Sequence, residues 1–171
     1  MSARWSSEQI PDQHGRTAIV TGANSGLGLV TARELARHGA SVVLACRNTV
    51  KGESALREIE AAVPDARVEL AALDLSSLDS VRAFAERYRS DHDGLDLLIN
   101  NAGIGAGGSG ARRQVNAAGV ELRFAVNYLA GFALTLRLLP LIRRSAPARI
   151  VNVASVGQRA IDFDDVMLEH G

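Results

Sequence analysis

A chain of 171 residues, 47% hydrophobic and 22% charged, has the size and composition of about one globular domain with a real core. Its nineteen basic side chains balance nineteen acidic ones, which leaves no electrostatic footprint for nucleic acid or an anionic membrane. A lone cysteine, Cys46, excludes a disulfide framework and a cysteine-based metal cluster.

Thr17–Thr21 is a β-branched run that ends in glycines, and it predicts a first strand. A helix follows, with Leu29, Ala32 and Ala36 on one face and Gly39 as its stop. Ser41–Cys46 is a second, continuous apolar strand, in which Cys46 reads as a small buried hydrophobe. Residues 49 to 63 are helical, with Ala55, Ile59, Ala62 and Val63 on one stripe, and Pro64 ends them. Val68–Leu73 is a third strand. Ser76 to Asp79 looks like a capping pair, after which Val81, Phe84, Ala85 and Tyr88 recur at helical spacing. Leu95–Ile99 is a fourth strand, and the Gly/Ala-rich stretch 103–110 a loop. A longer helix carries Leu122, Ala125, Leu129, Phe132, Ala133 and Leu136 on one face and ends near Pro140. Its apolar region, Phe124 to Leu136, is too short to span a bilayer. Ile150–Ala154 is a fifth strand.

Strands and helices alternate, and the strands are continuous apolar runs rather than alternating ones. That pattern predicts an α/β fold with a parallel sheet covered on both faces. No repeat or linker marks a second domain, so residues 1–171 read as a single domain. The N-terminal residues lack the apolar core of a signal peptide, and with the lone thiol they fit a reducing cytoplasm.

Two stretches have the glycines to cradle a phosphate. Thr21-Gly-Ala-Asn-Ser-Gly-Leu-Gly28 follows the first strand and opens the first helix, where free N–H groups and the positive end of the helix dipole face an anion. Gly103 to Gly108 also matches G-x-G-x-x-G, but no ribose-reading acid lies about 20 residues beyond it, and it reads as a flexible loop. For the first motif the ribose reader is due near residue 47. Arg47 stands there instead of Asp or Glu. A guanidinium pairs with a 2′-phosphate, which argues for NADP(H), with NAD(H) possible. A solvated arginine at a strand end is the plain alternative.

T-G-A-N-S-G-L-G resembles the T-G-x-x-x-G-x-G motif of the short-chain dehydrogenases/reductases. Asn100-Asn-Ala-Gly103 resembles that family's N-N-A-G. Asp74-Leu75 is similar to its adenine contact, Val126-Asn127-Tyr128 to the segment with the catalytic Asn, and Arg149-Ile-Val-Asn-Val-Ala-Ser155 to the strand that ends in the catalytic Ser. Five motifs in order span residues 15 to 157. Ala45-Cys-Arg47, Asp74-Leu-Ser-Ser-Leu78 and the N-Y-L-A-G-F-A-L-T of the long helix resemble the retinol-dehydrogenase-like and protochlorophyllide-reductase-like branch. The resemblance implies a Rossmann-type doubly wound sheet of order 3-2-1-4-5. It implies an oxidoreductase that moves a hydride between the nicotinamide and a small carbonyl or alcohol substrate, with a homo-oligomer possible.

By the same resemblance, backbone N–H groups of Ser25, Gly26, Leu27 and Gly28 would hold the pyrophosphate, and Gly22 and Asn24 would belong to the same cofactor site. Asp74 would accept from the adenine amino group beside Leu75. Asn101, Ala102 and Gly103 would lie along the ribose. Ser155 would hydrogen-bond the substrate oxygen, and Asn127 would hold a water of a proton relay. Each has a plain counterpart: Asp74 as a helix cap, Asn127 bonding helix backbone, Ser155 ending a strand in a turn.

The family's proton donor is the Tyr of Y-x-x-x-K. The only tyrosines are Tyr88 and Tyr128, the only lysine is Lys51, and no such motif occurs. Ile161-Asp-Phe-Asp-Asp-Val166 reads like a loop that would precede the missing donor. The expectation is therefore an enzyme's N-terminal part with an incomplete active site, a bare edge at the fifth strand and marginal stability on its own. A nucleotide-binding module without chemistry is the competing reading. The four histidines have no spacing suited to metal or acid–base work.

Overall fold

The computed structural model describes residues 5–105, 112–155 and 160–169. Five parallel strands form its sheet: β1 (Thr17–Thr21), β2 (Ser41–Cys46), β3 (Arg67–Ala72), β4 (Leu97–Asn100) and β5 (Arg149–Asn152). Their order is β3-β2-β1-β4-β5, as expected. β1 and β2 have the expected bounds. The other three differ from expectation by one or two residues at their ends, where helix and strand signals overlap.

Helices α1 (Gly26–Arg37), α2 (Thr49–Ala62), α3 (Leu78–Asp91) and α4 (Leu122–Arg144) connect the strands. Three starts are capped by side chains. Asn48 accepts from the Lys51 N–H at 2.9 Å, Ser77 from Ser80 at 3.3 Å, and Glu121 from Phe124 at 2.7 Å. Each bond satisfies one of the amides that a helix start leaves without an internal partner.

The two faces of the sheet are buried by different helices. Ala18, Val20, Val42 and Leu44 face Ala32 and Ala36 of α1 and Ile59 of α2. Ile19, Val43 and Leu98 face Val81, Phe84, Ala85 and Tyr88 of α3 and Leu134, Leu138 and Leu141 of α4. Alternate residues of β1 and β2 thus point to opposite faces, yet all after the first of each strand are buried, which is why these strands read as unbroken apolar runs. Each such Leu or Ile removes about 1.5–3 kcal/mol worth of apolar surface from water.

The long helix corrects the sequence reading twice. Residues Ala125–Leu129 form a π turn, in which the Ala130 N–H reaches back five residues to the Ala125 carbonyl. One extra residue in that turn rotates everything beyond it. The buried stripe becomes Ala130, Leu134, Leu138 and Leu141, while Phe132 and Leu136, expected in the core, are about half exposed. The helix also runs through Pro140 to Arg144 rather than ending there. Pro140 lies on the exposed side. Leu122–Arg144 is 23 residues long with a mean hydropathy of 1.5, enough by length and composition to cross a bilayer, unlike the shorter stretch read from sequence. Its inner stripe is packed on the sheet, which is how a core helix meets the same test.

Candidate functional site

Because all strands are parallel, their C-terminal ends share one edge. The chain winds outward from β1 to β3 and then crosses back to β4, so the turns after β1 and β4 diverge to opposite sides of the sheet. A crevice opens at such a switch point.

Its floor is fixed by Thr21. The Thr21 hydroxyl accepts from the backbone N–H of Asn101 and of Ala102, both at 3.0 Å, and the Asn101 side-chain amide donates to the Thr21 carbonyl at 2.9 Å. The Gly22 N–H is bonded to the Ala45 carbonyl of β2 at 2.8 Å. Gly22 has φ +67°, and a Cβ there would sit 3.0 Å from Ala102. At Gly28 a Cβ would come within 2.5 Å of both the Gly22 carbonyl and the Asn101 amide. Glycine is required at both positions by close approach. Ser25 makes no side-chain cap bond to α1, so the first-turn amides of that helix have no side-chain acceptor there. Ser25, Gly26 and Leu27 lie on the exposed side of the turn. Beneath it the Cys46 sulfur is buried; burial pushes its thiol up, against the N–H groups of Ala23 and Asn24.

A cavity of about 560 Å³ lies above this floor. Of the residues singled out in the sequence, Gly22, Asn24, Arg47, Asp74, Leu75, Ala102 and Gly103 line it. Asn101 does not, since its side chain braces the Thr21 turn instead of facing the cavity. Asp74 accepts from the Ser76 N–H at 2.9 Å and the Ser76 hydroxyl at 2.7 Å, which closes the turn into α3. It is thus both turn residue and cavity wall. The glycine run 103–108 falls partly outside the described residues; Gly103 and Gly105 belong to the cavity wall. Sequence reasoning missed Asn48, Lys51 and Gln114, which also line the cavity. Lys51 carried a signal: it is the only lysine, one helical turn after Arg47.

A second cavity of about 330 Å³ lies between β4, β5 and α4, bordered by Asn127, Tyr128, Asn152 and Ala154. Asn127 sits in the π turn. Its side-chain carbonyl accepts from the Ile104 N–H at 2.8 Å and its amide donates to the Ile104 carbonyl at 3.0 Å. Both ends of this side chain are therefore engaged in clamping the segment after β4. Asn100 donates to Thr135 at 3.1 Å and to Asn152 at 2.8 Å, tying β4, α4 and β5 together, while its own Oδ1 is buried without a partner among the described residues. Ser155 follows β5 next to this cavity's Ala154 and is exposed.

The two tyrosines stand in different surroundings. Tyr88 is buried at the opposite end of the sheet and donates to the Gly94 carbonyl at 3.2 Å; burial pushes its hydroxyl up to about 12. Tyr128 stacks between Phe124 and Phe132 at the border of the second cavity. Among the described residues no group of three or more metal-ligating side chains occurs.

The sequence profile of the short chain dehydrogenase family matches residues 16–161. Retinol dehydrogenase 12 from Mus musculus is 47% identical over 148 residues, which are 86% of this chain and 45% of that protein. A solved structure of an uncharacterised protein from Mycobacterium paratuberculosis superposes with a TM-score of 0.81 at 40% identity, covering 97% of this chain and 56% of that one. The structure of a metagenomic short-chain oxidoreductase in complex with NADP superposes with a TM-score of 0.72 at 34% identity, covering 86% and 66% of the two chains. This chain spans about half the length of the curated relatives it matches. With the sheet order, the glycine turn and these likenesses in agreement, the chain belongs to the short chain dehydrogenase family.

Proposed function

We propose that these residues form the cofactor-holding half of an NADP(H)-dependent oxidoreductase acting on a small carbonyl or alcohol. The observation that carries this reading is the cavity over the switch point, where the Gly22 turn, Arg47 and Asp74 meet around one space. The close approach at Gly22 and Gly28 packs the turn against Ala102 and Asn101 and so fixes its shape, while Gly26 has open space above it, as a turn that meets a diphosphate needs. Arg47 takes the position where an acid would favour a free 2′-hydroxyl, and NADP is the nucleotide held by one of the related structures.

In this reading the amides of residues 25 to 28 bind the diphosphate, while Asp74 and Leu75 bound the adenine. Ala102 and Gly103 flank the ribose, and Asn101 positions them through Thr21. Asn127 acts in the same way, by holding Ile104 and hence the wall beside the reacting ring. Ser155 donates a hydrogen bond to the substrate oxygen. A bound NADPH supplies the hydride in reduction. No Y-x-x-x-K occurs in these 171 residues, so in this reading the site they form is incomplete for proton delivery to the developing alkoxide. A small-molecule substrate, no nucleic acid and a reducing cytoplasmic setting complete the proposal; the charge balance and the buried Cys46 support it.

Fluorescence titration of this chain with NADPH tests the cofactor half. NADPH is expected to bind more tightly than NADH by about tenfold or more, one charge-assisted contact being worth roughly that. Gly28→Val should abolish binding of both while the chain stays folded by circular dichroism. Equal affinity for the two nucleotides would remove the role of Arg47. Unchanged binding in Gly28→Val would remove the cradle.

A further inference from the structure

Residues 160–169 come after Ser155, and none of them is buried. Their hydrogen bonds to one another are short in range. The Asp165 N–H donates to the Asp162 carbonyl at 3.3 Å, the Leu168 N–H to the Asp165 carbonyl at 3.0 Å, and the Glu169 N–H to the Asp165 carboxylate at 2.7 Å. Ile161 is 55% exposed and Phe163 83%, so core burial does not place this segment. A tie across 54 residues does: the Arg113 Nε–H donates to the Met167 carbonyl at 2.7 Å, and a terminal nitrogen of the same guanidinium lies 3.6 Å from the Glu169 carboxylate. Between these two contacts stands Leu168 with φ +52°, the one non-glycine residue in the left-handed region among the described residues. Such a conformation is unfavourable for a residue with a side chain and persists where the surroundings impose it. Here it lets Met167 and Glu169 meet one guanidinium. Arg37 and Arg82 pair with acids three residues away on their own helices, as surface arginines commonly do. Arg113 instead holds backbone far away in the sequence.

The base on which Arg113 stands is firm. The Leu122 N–H donates to the carbonyl of the neighbouring Gln114 at 2.8 Å, Val115 pairs with Glu121, and Glu121 is buried at the start of α4. Gln114 and Leu122 both line the 560 Å³ cavity. On the other side of Ser155, the Val153 N–H donates to the Asn100 carbonyl at 2.9 Å. Ser155 therefore lies on a stretch fastened at Val153 to the sheet and at Met167 to the cavity wall.

We propose that Arg113 is a positioning residue that pins the segment behind Ser155 to the wall of the cofactor cavity, so that filling the cavity steadies the substrate side of the site. What fills the cavity rests on the cofactor reading above; the pin itself does not. A ligand that orders the wall at Gln114 and Leu122 orders the base of Arg113, and the guanidinium passes that order to Met167 and Glu169. The coupling is reciprocal, because a segment that is already pinned leaves less to be ordered on binding.

The test is hydrogen–deuterium exchange, read by mass spectrometry on peptides from residues 160–169, in the wild-type chain, Arg113→Ala, Arg113→Lys and Leu168→Gly. Without nucleotide, Arg113→Ala should raise exchange at Leu168 and Glu169 about fivefold, the worth of one hydrogen bond. Arg113→Lys should fall in between, since an ammonium keeps the pair with Glu169 but lacks the guanidinium's fork. Leu168→Gly adopts the left-handed turn freely and should leave the pin in place, with Arg113→Ala still raising exchange in its background. Saturating NADPH should slow the segment in wild type and not in Arg113→Ala, although the two chains bind NADPH within about twofold of each other. If Arg113→Ala exchanges like wild type without nucleotide, there is no pin and the proposal fails. If NADPH binds but does not slow the segment in wild type, or slows it equally in Arg113→Ala, the coupling does not run through Arg113 and the proposal fails. If wild type binds no NADPH, the cofactor reading and the coupling fall together, while a fivefold difference without nucleotide would leave the pin standing.

Discussion

The two edges of the sheet are made of different material. β3 carries Arg67 and Glu69 on exposed positions, and Val68 and Leu70 pack into the cluster beneath α2. At Gly52 of α2 a Cβ would lie 2.5 Å from the Leu70 methyl, so the absent side chain lets helix and strand meet. This is a guarded edge, charged where it faces water. β5 reads Arg-Ile-Val-Asn and is exposed along its whole length, with Ile150 at 38% and Val151 at 43%. Beside it, Tyr128, Phe132 and Leu136 stand about half exposed along α4. β5 thus has the composition of an interior strand in the position of an edge. Within these residues, apolar pattern and burial agree from β3 to β4 and part company at β5.

The largest expected effect tests that contrast directly. Leu44 of β2 is fully buried between helices and sheet. Leu44→Ala should cost about 2–5 kcal/mol of stability, as removal of a buried leucine does. Val151→Ala should cost less than about 1 kcal/mol, as at surface positions. Urea unfolding at low protein concentration reads both. A comparable loss at Val151 would mean that β5 is covered in solution, by a second copy or by another chain. Next in size is association. Val151→Lys places on β5 the kind of charge that β3 already has, and sedimentation velocity should show less self-association than wild type. Glu69→Val, the reverse change on β3, should increase it. If wild type is monomeric and unfolds reversibly in two states, the open side is harmless and the expected marginal stability is wrong.

The contrast also explains what the sequence made legible. Where a strand is closed on both faces, an unbroken apolar run marks it, and β1 and β2 have their expected bounds. The stripe Val81, Phe84, Ala85 and Tyr88 of α3 was readable because nothing interrupts its period. In α4 the π turn adds a residue that periodicity cannot see, so Phe132 and Leu136 were assigned to the wrong face. Most of the residues singled out around the crevice do meet at one cavity, because short motifs at strand ends are fixed by the strands. Asn101 was harder to place, since its neighbour Ala102 faces the cavity and only the bond to Thr21 shows which way each points. Lys51 was missed because it reaches the cavity from the next helix, through a turn that no motif encodes.

A smaller effect tests how the exposed side is anchored. Glu121 is buried at the start of α4. Burial acts to raise its carboxyl, but the Phe124 N–H and the Arg123 guanidinium outweigh it and hold the group below its ordinary range. A carboxyl lowered on folding adds stability above its unfolded pKa and loses it as pH falls through the folded one. Glu121→Ala should therefore cost about 1 kcal/mol near neutrality, the worth of a cap, and less in acid below that range. Glu121→Gln should keep part of the cap and flatten this pH dependence. If the cost is the same at both pH values, the charge on Glu121 contributes nothing.

The smallest effect changes only in alkali and belongs to the closed side. Tyr88 packs against Phe84 and His92, with its hydroxyl on the Gly94 carbonyl. Burial raises it from 10.0 to about 12. A tyrosine raised on folding favours the native state while it stays neutral, so its contribution is complete below about pH 10 and is lost as pH rises toward 12. Ultraviolet titration should show one hydroxyl ionising late and together with unfolding, and Tyr88→Phe should remove that component and make unfolding less steep in alkali. If Tyr88→Phe leaves the late step in place, the tyrosine sealed from water is not the one beneath α3, and the division between a closed half and an open half is drawn in the wrong place.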